Sequence, residues 1–431
     1  MEQDERRFEQ RLVAKISWRL VPIIGLSYLI AYIDRANLSF ASVSMNADLG
    51  FSQTVYGFGA SAFFLSYALF EVPSNLLLQR FGARRWIARI MFTWGLVSIA
   101  MIFINAAWNF YLLRFLLGAA EAGFFPGVVH YLSGWLPARH RARAISRFYI
   151  AAPTGTVVMG GAAQFLLGLD GYYGLAGWQW LLLIEGLPAL VMALVVWAAL
   201  PESPDHASWL NAREKSWLTD RLTRDAAFTG DTHTTLRRSL SDPIVLMLGA
   251  ALALLFLSTN AVTFSGPKLI IEAEGWTMAE ASRTIALSGL VTIPTMLLTG
   301  IATDRMERPF RLMAALAVVG AAMAVAMAVG RDAGLVPIGY ILFIAALQSG
   351  GMMSSILISR FVHPSGRPAG LAMNNTVAQT GAFFGPLLWG IAADRSGSFT
   401  VGLAMLVPLL LLAAVICLLG ERVCQRGVAV A

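Results

Sequence analysis

Two charged residues interrupt an apolar stretch that is long enough to cross a membrane. Arg114 and Glu121 lie in the segment RFLLGAAEAGFFPG (114–127), inside an otherwise apolar run from Phe110 to Tyr131. In a helix they are two turns apart, so both side chains share one face, about 10 Å apart along the axis. A charge at the centre of a membrane helix costs roughly 3 kcal/mol or more. We therefore expect both side chains to face a water-filled or protein-lined cavity rather than lipid.

A second acid and base lie in the first apolar stretch. Asp34 and Arg35 are neighbours in the chain, so in a helix their side chains point about 100° apart and cannot face one partner alike. Arg35 shares a face with Tyr28 and Tyr32. We expect Arg35 and the two tyrosines to face a bound substrate. Asp34 is expected to face another helix, with Arg114 as one candidate partner.

The elements that carry these charges are predicted to be membrane helices. The chain is 57% hydrophobic and 13% charged, which lies outside the usual range of soluble domains. Apolar stretches long enough to span a bilayer recur twelve times, which predicts an all-α polytopic membrane protein. The predicted spans are 17–41, 55–79, 86–105, 109–131, 144–168, 178–200, 243–264, 281–301, 311–330, 335–359, 370–393 and 398–420.

One long polar insert divides the predicted spans into two bundles of six. Residues 201–242 form this insert, which we expect to contain a short amphipathic helix followed by a linker. The N-terminal bundle then covers residues 17–200 and the C-terminal bundle residues 243–420. Residues 1–16 and 421–431 form polar ends. The charged N-terminus lacks the pattern of a removable signal peptide, so the first span is expected to remain in the membrane.

The distribution of positive charge predicts the orientation of the chain. Most of the 32 Lys and Arg residues lie at the termini or in connections on the same side as the termini. The positive-inside rule then places both termini and the insert in the cytoplasm. Because topology accounts for the net charge of +7, no nucleic acid partner is expected. Cys417 and Cys424 are the only cysteines, so neither a disulfide framework nor a thiolate metal site is expected.

The two halves resemble one another in sequence. Segment 75–85 (NLLLQRFGARR) follows the second predicted span, and segment 300–311 (GIATDRMERPFR) follows the eighth. Pro137 and Pro364 recur at nearly the same offset. A near-constant offset at separate places indicates two parallel six-helix repeats, related by an axis along the membrane normal, with a binding site between them.

The segment after the second span of each half also carries a known signature. Gly300, Asp304 and Arg305 match the pattern G-x-x-x-D-R, whereas Asn75 and Gln79 replace the Gly and Asp in the first half. Combined with YIDRAN (32–37), FEVPSN (70–75) and RFLLGAAEAGFFPG, these residues resemble the major facilitator superfamily and, within it, the anion:cation symporter family. The resemblance covers nearly the whole chain. That family includes bacterial permeases for tartrate, sugar acids, phthalate and hydroxyphenylacetate.

The resemblance implies the major facilitator fold, a monomer in the bacterial inner membrane, and roles for two of the charged residues. Arg114 would take part in substrate binding or gating, and Glu121 would be a proton-coupling carboxylate. Protonating Asp34 and Glu121 would leave Arg35 and Arg114 uncompensated, and a guanidinium can hold both oxygens of a carboxylate. The expected partners are thus a small organic anion and protons, carried together by symport within the lipid bilayer.

Other polar residues are expected to serve substrate recognition or gating. Neutral side chains at membrane depth could bind the non-acidic end of the substrate, although such groups also form bonds between helices. The further candidates for substrate binding are Tyr67, Gln164, Gln348, Asn374 and Asn375. The candidates for gating are Glu71, with Arg85 or Arg143 as its partner, and the pair Asp304 and Arg305.

Alternatives remain open at this level. A major-facilitator exporter of drugs or metabolites by proton antiport is the second hypothesis, although it would not need two arginines in its cavity. An enzyme is not expected, because no zinc-protease, nucleophile-elbow or phosphate-loop motif occurs. No cofactor and no metal are expected. The sequence leaves open which carboxylate is carried, and it favours protons over sodium only weakly.

Overall fold

The structure is a computed structural model that describes residues 2–137, 140, 150–227, 242–330, 334–362 and 366–430. The described chain is almost entirely helical. In the first half, the helices are α1 (Glu2–Leu49), α2 (Gln53–Phe81), α3 (Ala83–Ala100), α4 (Ala107–Glu121), α5 (Phe124–Ser133), α6 (Ala151–Leu167) and α7 (Gly177–Ala199). After them come α8 (Ala212–Ala227), α9 (Pro243–Glu274), α10 (Met278–Arg305), α11 (Pro309–Val329), α12 (Val336–Phe361), α13 (Arg367–Ser396) and α14 (Phe399–Val430). Short 3-10 turns lie at Met101–Phe103, Tyr172–Gly174 and Pro204–His206.

Ten helices within the described residues are long and apolar enough to cross a membrane, with α4 and α5 taken together as one. Two further helices, α6 and α13, lie at the positions of predicted spans five and eleven. The first half of span five falls partly outside the described residues, and α13 carries the polar residues Asn374, Asn375 and Gln379. The chain is therefore a multi-pass, all-α membrane protein, as predicted.

Local sequence signals account for several helix ends. Ser52 caps α2, because its hydroxyl accepts a hydrogen bond from the Val55 amide at 3.2 Å. Thr277 and Glu280 form a capping box at the start of α10. Asp242 caps α9 and is followed by Pro243 at the first helical position, where a missing amide hydrogen costs nothing.

The fourth predicted span is not one continuous helix. It is broken after Glu121, where Ala122 has an extended ψ of 133° and Gly123 has a φ of +84°. Only glycine adopts such a φ readily, and a Cβ at this position would lie 2.4 Å from the Ser74 hydroxyl on α2. The break places Glu121 at the last residue of α4, beside an interruption of the helical hydrogen bonds.

The two halves meet most closely through backbone contacts of α2 with α13. A Cβ added at Gly57 would lie 2.3 Å from the Pro386 carbonyl oxygen, and one added at Gly390 would lie 2.2 Å from the Gln53 carbonyl oxygen. Asp394 extends this contact, because it accepts hydrogen bonds from the Gln53 and Thr54 amides at 2.9 and 2.7 Å. These contacts lie at the end of the bundle opposite α8. The two halves are closed against each other at that end.

The polar insert contains the amphipathic helix that its sequence predicts. This helix, α8, lies against the N-terminal part of α1, where the Lys15 ammonium bonds the Glu214 carboxylate at 2.8 Å. The Trp217 ring packs edge-on against Phe8, with their centroids 6.0 Å apart. Helix α8 is therefore held against the N-terminal part of α1.

Candidate functional site

The centre of the candidate site is an ion pair between α1 and α4. Arg35 Nε donates a hydrogen bond to Glu121 Oε1 at 2.9 Å, and Arg35 Nη2 donates to the same oxygen. The Glu121 side chain is fully buried, whereas the Arg35 side chain is 25% exposed. The Arg35 side chain is thus partly accessible, while its acidic partner is enclosed.

Aromatic rings surround the Arg35 guanidinium. The Arg35 guanidinium carbon lies 5.6, 5.5 and 5.3 Å from the ring centroids of Tyr32, Phe63 and Tyr67. The Tyr28 hydroxyl is 3.3 Å from that of Tyr32. Rings at these distances attract a cation through their electron-rich faces. Arg35 and its predicted tyrosines therefore come together, as their spacing suggested.

Phe63 was missed by the sequence analysis, although it contacts both arginines. Its ring centroid is 4.9 Å from the guanidinium carbon of Arg114 and 5.5 Å from that of Arg35. Phe63 precedes Tyr67 by one helical turn, so the two share a face of α2. That spacing was the available signal, but an aromatic residue in an apolar span is usually only part of the core.

Arg114 is more enclosed than its predicted role suggested. It is 1% exposed, and its Nε atom donates a long hydrogen bond of 3.4 Å to the Gly59 carbonyl oxygen on α2. Among the described residues, it forms no ion pair within 4 Å. Glu121 lies on the same helix but bonds Arg35. Arg114 is therefore enclosed against the Phe63 ring and does not lie on an open surface.

Asp34 does face another helix, but its partner is not the one suggested. Ser98 on α3 donates a hydrogen bond from its hydroxyl to Asp34 Oδ1 at 2.5 Å. The other oxygen, Oδ2, is buried without a hydrogen-bond partner among the described residues. Asp34 and Arg114 therefore form no ion pair within 4 Å in this structure.

The second half reaches the site through one amide. Asn375 on α13 donates a hydrogen bond from Nδ2 to Glu71 Oε1 on α2 at 3.0 Å. Glu71 is 6% exposed and lies within electrostatic range of Tyr67 and Arg35. The proposed pairing of Glu71 with Arg85 is wrong, because the carboxylate binds an amide of the other half. The alternative partner, Arg143, lies outside the described residues.

The remaining substrate candidates are not assembled around Arg35. Asn374 accepts a hydrogen bond from the Ser354 hydroxyl at 3.0 Å, so it connects α12 to α13, as the structural interpretation of such amides predicts. Gln348 is half-buried and Gln164 is exposed. Neither glutamine makes a side-chain hydrogen bond within the described part of the chain.

The loop residues predicted to form gates are exposed and make no ion pair or side-chain hydrogen bond within the described ranges. This holds for Arg85, Asp304 and Arg305. Their neighbours make the contacts instead: Arg84 pairs with Glu202 at 3.4 Å, and Arg360 donates to the Thr303 and Met306 carbonyl oxygens at 3.0 and 3.1 Å. Arg360 thereby bonds carbonyl oxygens at the C-terminal end of α10, where a cation is favourable.

Comparison with known proteins identifies the family. Residues 24–359 match the Major Facilitator Superfamily, and the chain belongs to this superfamily of transporters. It is 40% identical over 430 residues to a protein of Agrobacterium vitis named "Putative tartrate transporter", with 97% of this chain and 93% of the relative covered. It is also 36% identical over 401 residues to a quinolone resistance transporter of Acinetobacter baumannii, with 93% and 92% covered. The predicted resemblance is confirmed, and the protein is a transporter rather than an enzyme.

Solved structures establish the same fold. A bacterial homologue of the human lysosomal transporter Spinster, in an inward-facing and unoccupied conformation, superposes with a TM-score of 0.79 at 16% identity, covering 95% of this chain and 98% of that one. A D-xylose–proton symporter superposes with a TM-score of 0.74 at 16% identity, covering 93% and 97%. At such identities the likeness concerns the fold alone. The predicted major facilitator architecture is confirmed.

Proposed function

We propose that the chain imports a small organic anion, a carboxylate such as tartrate, a sugar acid or an aromatic acid, by proton-coupled symport with alternating access. The observation that supports this proposal is the pairing of a partly exposed arginine side chain with a fully buried carboxylate. Arg35 is 25% exposed and Glu121 is not exposed at all. A substrate anion can therefore approach the Arg35 side chain while Glu121 stays buried.

The ion pair offers a direct means of coupling. While Glu121 is ionised, it occupies the Arg35 guanidinium through two hydrogen bonds. A proton on Glu121 removes the negative charge and leaves the guanidinium unbalanced in a medium of low dielectric. The planar fork of Arg35 can then bind both oxygens of a substrate carboxylate. Loss of the proton restores the pair and releases the anion, so proton and anion travel together.

The other two buried charges suit a substrate with a second acidic group. Asp34, Arg35, Arg114 and Glu121 sum to zero when all are ionised, so two added protons leave two unmatched guanidiniums. A dicarboxylate such as tartrate matches that charge. The relative named for tartrate, 40% identical over nearly the whole chain, supports the same substrate class. Because Arg114 is enclosed, its contact with substrate would require α2 and α4 to move apart.

The hydrogen bond between Glu71 and Asn375 is our candidate for the contact that changes during alternating access. Within the described residues, this side-chain hydrogen bond joins the two halves close to Arg35. We infer that Asn375 binds the non-acidic end of the substrate once this bond opens, and that Asn374 stays with Ser354. We further propose a monomer in the bacterial inner membrane, with both termini cytoplasmic.

Transport by purified protein in liposomes tests the proposal. An inward proton gradient should drive accumulation of tartrate, and a protonophore should abolish it. Glu121→Gln, which mimics the protonated acid, should still bind and exchange tartrate but lose the response to the gradient. Arg35→Lys should lower tartrate affinity by about tenfold or more, because lysine lacks the planar fork.

The matched control for Arg35→Lys is Arg213→Lys on α8. The Arg213 guanidinium lies over the Phe8 ring, outside the candidate site, so this change should leave transport intact. The proposal is wrong if none of the organic acids is accumulated in response to a proton gradient by protein that is folded and correctly inserted.

Export by proton antiport is the second candidate function. The observation in its favour is the 36% identity to the quinolone resistance transporter over 93% of this chain. Cells that express the protein would then accumulate less quinolone than control cells, and Glu121→Gln would abolish the difference. Reduced quinolone accumulation without any uptake of organic anions would favour this function over the first.

A further inference from the structure

Helix α3 carries two arginines on the face that it leaves exposed. Arg85, Arg89, Phe92 and Leu96 follow one another at helical spacing, so they share one face. Arg85 is exposed, Arg89 is partly exposed, and Phe92 and Leu96 are each 47% exposed. Because α3 is long and apolar enough to cross a membrane, its exposed apolar face contacts lipid. This face thus has two cations near the start of the helix and apolar side chains further along.

Neither of these two arginines has an acidic partner in the part of the chain that the structure describes. The Arg89 guanidinium makes no ion pair and no hydrogen bond there, and its Nε atom is buried without a partner. Arg85 is likewise unpaired among the described residues. Their neighbour Arg84 differs, because it pairs with Glu202 at 3.4 Å. A cation next to lipid is costly unless an anion balances it, so the two unpaired guanidiniums call for an anion from elsewhere.

The ring of Trp86 holds Arg89 in place. The Arg89 guanidinium carbon lies 3.9 Å from the Trp86 ring centroid. The indole is itself fixed, because its Nε1 atom donates a hydrogen bond to the Ser74 hydroxyl at 3.0 Å and its ring stacks on Phe81, with the centroids 5.6 Å apart. A guanidinium over a ring keeps the donors at its edge available. Arg89 is therefore oriented to bind an anion that the described residues do not supply.

The second half lacks cations at the equivalent positions. At the offset that relates segments 75–85 and 300–311, Arg85 corresponds to Phe310, which is 1% exposed. Arg89 corresponds to Ala314, which is 4% exposed. The same kind of helix therefore forms with buried apolar residues at both places. The fold does not require the two arginines, which points to a ligand.

The anion that matches this place is a lipid phosphate. The phosphodiester group is concentrated at the boundary between lipid and water, and a guanidinium can bind two of its oxygens at once. Phe92 and Leu96 lie about one and two turns deeper than Arg89, along the path of an acyl chain. Glu202, an acid at the same end of the first half, is already paired with Arg84 and does not offer a partner for a headgroup ammonium. The charge of the site therefore favours a lipid of net negative charge.

We propose that Arg85 and Arg89 form a binding site for the phosphate of an anionic phospholipid. The site lies in the leaflet at the end of the bundle where the polar insert begins, since Arg84 bonds the Leu200 carbonyl oxygen at 3.3 Å. On the orientation proposed above, this is the cytoplasmic leaflet. The two guanidiniums hold the headgroup, and the apolar residues that follow on α3 contact an acyl chain. The site is separate from the ion pair between α1 and α4, and it does not depend on which solute is carried.

Native mass spectrometry of the full-length protein in detergent, with equal amounts of phosphatidylglycerol and phosphatidylethanolamine, tests the site. We expect the wild type to retain one phosphatidylglycerol in preference to phosphatidylethanolamine. Arg85→Gln combined with Arg89→Gln should weaken this retention by about tenfold or more, because the charged donors are lost. Arg89→Lys keeps the charge but lacks the planar fork, so it should weaken retention less than Arg89→Gln. Inorganic phosphate should not displace the lipid, because it makes no apolar contact.

The matched control is Arg311→Gln, which removes the same charge near the start of α11. Arg311 bonds Glu421 at 3.0 Å, and Arg308 remains beside Glu421 after the change. This variant should retain phosphatidylglycerol as the wild type does. Arg85→Gln alone changes an exposed side chain, so it reports on the site even where variants of Arg89 do not fold. Wild-type retention in the Arg85 and Arg89 variants, or equal retention of phosphatidylethanolamine, or displacement by inorganic phosphate, would overturn the proposal.

Discussion

Two arginines lie at membrane depth in the first half, and their surroundings differ. Arg35 has an ionic partner and remains 25% exposed, whereas Arg114 is 1% exposed and contacts a backbone carbonyl and the Phe63 ring. An ion pair whose partner is removed leaves a buried charge, which destabilises strongly. Arg114 has no such partner among the described residues. The two residues should therefore respond differently to substitution.

Replacing Arg114 should affect substrate binding more than stability. Arg114→Met removes a buried charge and keeps a side chain of similar length, so we expect the free energy of unfolding to stay within about 1 kcal/mol of the wild type. Loss of a charged hydrogen-bonding group should weaken tartrate binding by about tenfold or more. Thermal unfolding with and without tartrate measures both effects. If Arg114→Met binds tartrate as tightly as the wild type and as the surface control Arg213→Met, Arg114 has no part in the binding site.

Helices α2 and α13 make a contact that depends on glycine. Gly57 lies against the Pro386 carbonyl, and Gly390 lies against that of Gln53. Asp394 adds two hydrogen bonds to the first turn of α2, a favourable place for an acid because the helix dipole is positive there. This contact closes one end of the path between the two halves. Its strength should set how often that end opens.

A side chain at Gly57 should favour opening at this end. Gly57→Val would require α2 and α13 to separate, because even a Cβ would lie 2.3 Å from Pro386 O. A cysteine at Ser61, which is now buried against the Phe383 carbonyl, reports the opening by reaction with a membrane-impermeant maleimide. We expect labelling to increase in a background where Cys417 and Cys424 are serine.

The control for this experiment is Gly161→Val on α6, where an added Cβ meets nothing within 4 Å. It should leave the labelling of the introduced cysteine at its original level. Equal labelling in the Gly57 and Gly161 variants would mean that the contact of α2 with α13 does not control this end.

The docking of α8 on α1 should depend on pH. Although desolvation by itself would raise the pKa of Glu214, the hydrogen bond from Lys15 and that from the Asn211 amide hold this pKa below its ordinary value of 4.5. A lowered pKa in the docked state stabilises docking above the ordinary value, and that contribution is lost as the pH falls through the lowered pKa. The distance between spin labels on α1 and α8 should therefore increase in acid.

Glu214→Gln separates this ion pair from other acid effects. In this variant, the distance between the spin labels should not change as the pH falls through the lowered pKa of Glu214. Glu280→Gln, which lies outside the insert, should behave as the wild type does. A distance that widens in acid to the same extent in Glu214→Gln would assign the change to another group.

The molecule as a whole is predicted to lie in the membrane with both termini on the cytoplasmic side. Lys and Arg are concentrated at the termini and in the connections on their side, which favours retention of those segments in the cytoplasm. Alkaline phosphatase is active only outside the cytoplasm. A fusion at the C-terminus should therefore be inactive, and one inserted after Gly171, between α6 and α7, should be active. The reverse pattern would contradict the proposed orientation.

Much of the fold could be predicted because it depends on local properties of the chain. A run of apolar residues specifies a membrane helix wherever it occurs, since the lipid leaves a backbone no other way to satisfy its hydrogen bonds. The repeated segments at 75–85 and 300–311 likewise predicted two six-helix halves. The cost of a buried charge identified Asp34, Arg35, Arg114 and Glu121 as residues to examine. For each of these conclusions, the residue and its near neighbours were sufficient.

The partners of those residues were decided only by the tertiary structure. Arg35 binds Glu121, which is 86 positions away, and Glu71 binds Asn375, which is 304 positions away. Such pairs depend on how two helices are rotated and shifted against each other, and many apolar contacts together determine that arrangement. The close approach of Gly123 to Ser74 on α2 is likewise a contact between helices that the local sequence does not specify. The sequence by itself therefore determined which groups carry charge in the membrane, and the packing of the helices determined which of them meet.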